Sequence, residues 1–177
     1  MSARKRYKPK EIVRDPVGWA ITLATKLDSE QLGPLLQTMR DGIEDFRIGS
    51  GGPDPWRNLA DCANIGEDLM RFGLANDHAA TFTRAQLALK AVAERHAVRN
   101  SWTLRADELD ALRLLVLVHE VQLRNCSQGE FRDAVKRVVR RVSAAVREGS
   151  ATTIRVTGKL GTEGVKGEDQ QRAQVSA

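Results

Sequence analysis

Three histidines, two cysteines and one glycine-rich run are the residues of this 177-residue chain best suited to chemistry. His119-Glu120 begins like the zinc-protease signature His-Glu-x-x-His, in which two imidazoles one helical turn apart reach a single metal ion. The second ligand position is occupied by Leu123, so that site cannot be built. His78, His96 and His119 share no metal-ligand spacing, and neither a metal nor a cofactor is expected. Cys62 and Cys126 fall in or beside apolar helical patterns, where a thiol behaves as a small hydrophobe. Two such cysteines fit a reduced cytoplasm. Gly49-Ser50-Gly51-Gly52 lacks the Lys and Ser/Thr of a phosphate-binding loop and follows no strand, so it reads as a plain connection.

Arg113 and His119 form the one pair with a catalytic counterpart elsewhere. Their separation resembles the Arg-x(4–6)-His spacing of the HEPN ribonuclease superfamily, which is all-α. That resemblance implies metal-independent RNA cleavage, with Arg and His of two protomers meeting at a dimer interface. Leu114 stands where a polar residue usually follows the Arg. Six helical steps also leave His119 about 120° from Arg113 around an ideal helix. The competing reading is an Arg at a helix edge and a hydrogen-bonded, half-buried His.

Charge is distributed in blocks. The net charge is +5, and residues 1–14 alone account for that much; residues 15–130 sum to −5, residues 131–148 to +4 and the remaining tail to +1. The chain is thus a basic arm, an acidic body and a basic last helix. Its longest apolar stretch, Leu114 to Val118, is far short of the roughly 20 residues needed to cross a bilayer. No charged start leads into an apolar segment, so no secretory signal is expected.

The elements that must position these residues are helices, and the expected fold is an all-α bundle of five or six of them. The expected organisation is a flexible basic arm (1–14), a single helical domain (15–148) and a flexible tail (149–177), in which Thr152 to Thr157 alternates weakly. Asp15 caps a first helix with Pro16 at its first position, running to about Leu27. Asp28 or Ser29 caps a second, with Leu32, Leu35, Leu36, Met39, Ile43 and Phe46 at helical spacing. Ile48 to Pro55, with three glycines and two prolines, is a loop. A third helix starts at Trp56 and ends near Gly73 or Asn76; a fourth spans Ala79 to about Arg99. Thr103 to Asn125 is the most apolar and is expected at the centre. Ser127 and Glu130 form a capping box that opens the last helix, through Arg147.

On that last helix Phe131, Val135, Val138, Val142 and Val146 predict the docking face. Arg132, Lys136, Arg140 and Arg147 then form an outward ridge, with Arg137 and Arg141 farther round. Such a ridge suits a phosphate backbone, since each cation placed there releases condensed counterions. It suits an acidic protein surface equally well, and its arginines can instead pair with the protein's own acidic helices. In the arm, Arg4, Lys5, Arg6, Lys8 and Lys10 surround Tyr7, a pattern of nucleic-acid-binding arms. Arg-Tyr-Lys-Pro-Lys before Asp-Pro-Val-Gly-Trp, with Leu-Val-His-Glu-Val-Gln-Leu later on, resembles short, uncharacterised all-α accessory proteins of proteobacterial phages, prophages and plasmids. The resemblance implies an accessory or host-interaction role and no defined activity.

The function expected is non-catalytic: a cytoplasmic helical protein contacting nucleic acid through Arg4, Lys5, Arg6, Lys8, Lys10, Arg132, Lys136 and Arg140, with weak sequence preference. One alternative is an inhibitor or adaptor acting on a host protein; another is a HEPN-like ribonuclease. No membrane partner is expected. The complementary charge blocks allow a homo-oligomer.

Overall fold

A computed structural model describes residues 15–148; the expected arm (1–14) and tail (149–177), including Thr152–Thr157, lie outside the described residues. The described chain is an all-α bundle: α1 (Pro16–Ala24), α2 (Ser29–Arg47), α3 (Pro53–Arg71), α4 (Ala79–Arg99), α5 (Ala106–Asn125) and α6 (Gln128–Arg147), with a single 3-10 turn at Asn76–His78.

Local chemistry sets the helix starts. The Asp15 carboxylate accepts from Gly18 N–H at 3.0 Å. Asp28 accepts from Gln31 N–H at 2.8 Å, and the Gln31 side chain accepts in return from Asp28 N–H. Ser127 and Glu130 make the same reciprocal pair ahead of α6. Each such cap satisfies donors that the first turn leaves without partners, worth about 1 kcal/mol. α1 stops at Ala24, short of Leu27, because the next residue turns extended and Thr25 hands its carbonyl to Gln128 N–H at 2.8 Å.

The expected loop at 48–55 is shorter than its composition suggests. Pro53, Asp54 and Pro55 form the first turn of α3, where the donors that proline lacks have no intrahelical partner anyway. α3 closes at Arg71, followed by Gly73 in a left-handed conformation (φ 103°) that a side chain would strain.

α3 is the hub and touches α2, α4, α5 and α6. Leu59, Leu69, Leu89, Leu112, Leu115 and Leu123 are fully buried around it, each contributing roughly 1.5–3 kcal/mol. α5 packs on α2, α3 and α4, yet it is not enclosed as its all-round apolar sequence predicts, since Leu114, Leu117 and Val121 face outward. At one end of the bundle the Trp56 indole donates to Leu89 carbonyl at 2.9 Å, and His96 stacks on Trp102 with centroids 4.1 Å apart. Nearby, Arg95 grips Glu108 through its two terminal guanidinium nitrogens, and its Nε donates to Thr103 carbonyl. Burial acts to raise the Glu108 carboxyl, but the Arg95 and Arg105 N–H donors outweigh it and hold it below the usual carboxylate range.

Candidate nucleic-acid interface

α6 is the element that positions the basic ridge. It docks through Ala134 and Val138, the two buried side chains of the helix, while Val146 and Val139 stand exposed. The expected valine face is therefore rotated by about 60° toward Arg137 and Arg141. The cause is Asp68, a buried carboxylate on α3. Arg137 Nε donates to it at 2.8 Å, and Arg141 Nη1 lies 3.8 Å from its other oxygen. The Arg137 guanidinium also covers the Phe72 ring at 3.8 Å. These two arginines serve the fold, pairing with the protein's own α3.

The ridge proper keeps its direction. Arg132, Lys136, Arg140 and Arg147 fall within about 80° of one another on the side of α6 opposite Ala134 and Val138, spaced over roughly 22 Å. Arg132 is half-buried: it pairs with Asp133 at 3.0 Å and lies over the Trp19 ring at 5.3 Å. Lys136 and Arg140 are exposed and form no ion pair among the described residues. Arg147 donates to Ser143 carbonyl within its own helix at 3.0 Å. The role of Trp19 was not anticipated, although its place four residues after an N-cap, on a short helix with few other large side chains, is the signal that it needs a neighbouring element.

α1 lies along α6 in the antiparallel sense. Thr25 meets Gln128 and Trp19 meets Arg132, so the start of α1 points along α6 toward Lys136. Gly129 allows this approach, because a Cβ there would come within 2.9 Å of Leu23 carbonyl. The chain that carries Arg4, Lys5, Arg6, Lys8 and Lys10 thus joins the domain beside the ridge; those five residues themselves lie outside the described residues.

Arg113 and His119 are not brought together. Arg113 is on the outer face of α5, paired with Asp110 at 3.1 Å. His119 is fully buried against α3. Gln122 donates its amide N–H to Gly66 carbonyl at 3.0 Å and to Leu74 carbonyl at 2.9 Å, so its oxygen is turned to His119 Nδ1 at 3.0 Å. That arrangement puts the imidazole proton on Nδ1 and leaves Nε2 a buried acceptor without a partner among the described residues. Burial pushes the imidazole down to about 4, against a smaller raising effect of Gln122. Cys62 and Cys126 are buried free thiols, both raised by burial, Cys126 to about 11.

Among the described residues no group of His, Cys, Asp or Glu could hold a metal ion, and no helix is long and apolar enough to cross a membrane. Compared with protein families, with curated proteins and with solved structures, the chain matches none.

Proposed function

We propose that this protein is a non-catalytic nucleic-acid-binding accessory protein, in keeping with its resemblance to small helical proteins of mobile elements, that grips the phosphate backbone with its arm and the outer ridge of α6. The observation that carries this reading is the division of labour on α6. Arg137 and Arg141 are consumed by Asp68, while Lys136 and Arg140 are exposed and form no ion pair among the described residues. A helix that needed its cations only for docking would not leave that second set facing water. The antiparallel seating of α1 supports the same reading, since it attaches the six-cation arm next to the ridge. Backbone contacts of this kind carry no base information, so weak sequence preference follows.

Fluorescence anisotropy with mixed-sequence duplex DNA, single-stranded DNA and RNA over a salt series tests this. Affinity should fall linearly in log–log form with salt. Lys136→Ala combined with Arg140→Ala should reduce that slope by about two and weaken binding to all duplex sequences alike. Removing residues 1–14 should flatten it further. Absence of binding at low salt, or a slope that neither change moves, would refute the proposal. RNA cleavage that disappears with Arg113→Ala would replace it by the ribonuclease reading.

A further inference from the structure

α5 contributes three sides to the bundle and leaves the fourth open. Leu114, Leu117 and Val121 lie on that open side, 43%, 61% and 55% exposed, one helical turn apart. A cleft of about 620 Å³ between α4 and α5 runs along one flank, with Ala88, Ala111 and Leu114 among its walls. A smaller one of about 350 Å³ between α2 and α5 runs along the other, walled by Ile43, Val116 and Leu117 together with Arg40, Arg113 and Glu120. The open side is therefore an apolar ridge with a groove on each flank, the relief that another helix packs into.

The charges on this ridge have an order that identifies its occupant. Counting from Leu117, Asp110 stands seven residues before and Arg124 seven after; Arg113 stands four before and Glu120 three after. The signs run minus, plus, minus, plus, antisymmetric about Leu117. Reversing the direction of the helix thus lays Asp110 against Arg124 and brings Arg113 within one residue of Glu120. A parallel copy would do the reverse, setting Asp110 beside Asp110 and Arg124 beside Arg124.

We infer that the open face of α5 is a homodimer interface, in which two copies pack α5 against α5 antiparallel about a two-fold axis at Leu117, with Asp110 of each copy meeting Arg124 of the other. Leu114, Leu117 and Val121 of both copies form the apolar centre, and every contact occurs twice, as an isologous interface requires. The charge pairs lie about 10 Å from the axis on either side, at the rim, where they fix register. Both groups are available: Asp110 and Arg124 side chains are 72% and 58% exposed, each paired among the described residues with a neighbour on its own helix, Arg113 and Glu120 respectively. His119 lies on the buried side of α5 and takes no part.

Sedimentation velocity on the full chain over a concentration series tests the inference. The mass should rise toward twice 19.6 kDa. Leu117→Glu, at an exposed position, should keep the helical circular dichroism and remain monomeric. Asp110→Arg alone and Arg124→Glu alone should each weaken association by about tenfold, because like charges then face each other twice. An equimolar mixture of those two variants should recover it, since both cross-pairs in the mixed dimer are again of opposite sign. A monomeric wild-type chain at its highest soluble concentration, a Leu117→Glu variant that still dimerises, or a mixture no tighter than its components would each overturn the assignment.

Discussion

Gly66→Val should lower the stability of the bundle by roughly 2–6 kcal/mol, seen as a shift of the urea midpoint with the slope preserved. A Cβ at Gly66 would stand 2.5 Å from Phe82 Cε1 and 3.1 Å from both Gln122 Oε1 and His119 Nδ1. Phe82 is itself fully buried and has nowhere to move. Overpacking of this kind costs about 1–3 kcal/mol. Displacing Gln122 from the Gly66 and Leu74 carbonyls adds about 1–3 kcal/mol more, chiefly because the Gly66 carbonyl is buried and loses its Gln122 donor. Gly33→Ala is the matched control. Beyond its chain neighbours no atom lies within 4 Å of a Cβ there, and only the Pro34 ring crowds it, so the change should cost no more than about 1 kcal/mol. A Gly66→Val variant with the wild-type midpoint would show that α3 and α5 do not approach as closely as described.

The second large effect is on pH dependence. His119 is neutral in the folded chain and pushed down to about 4, against 6.5 when free. A depressed folded value means that the unfolded chain takes up the proton first. The stability that this creates is fully present above about pH 6.5 and is lost as the pH falls from 6.5 to 4. At roughly 1.4 kcal/mol per unit the loss is about 3 kcal/mol. Carboxylates held low by hydrogen bonds, such as Glu120 by Arg124 and Glu130 by Ser127, contribute only in stronger acid. Urea midpoints measured from pH 7.5 down to 4.5 should therefore decline in the wild type and stay much flatter in His119→Gln. Parallel declines in the two proteins would exclude a buried neutral imidazole.

The helices and their starts were legible because caps are local: Asp15, Asp28 and the Ser127–Glu130 box each act within three residues of themselves. Pro53-Asp54-Pro55 misled for a related reason. Composition alone does not separate a proline that ends a helix from one that starts it. The rotation of α6 was out of reach, since it depends on an ion pair between residues 69 apart in the chain. Periodicity counts valines and cannot know that Asp68 waits opposite. The buried cluster at Gly66 left a fainter trace: His119 and Gln122, polar and one turn apart on the most apolar helix, signal an internal hydrogen-bond partner. The sign order on α5 was legible in principle, yet it acquires meaning only once Leu117 is known to face outward.

α1 rests on α6, and any other neighbour it has is slight. The consequence is mechanical. Tension applied ahead of Asp15 reaches α2 along the chain through residues 25–28, and reaches α6 through the α1 contact, from where the Asp68 anchor passes it to α3. α1 is a rider on the last helix rather than on the body, so whatever pulls on it acts first on the seam between α1 and α6. That seam is the place where load on this molecule would be borne or would yield.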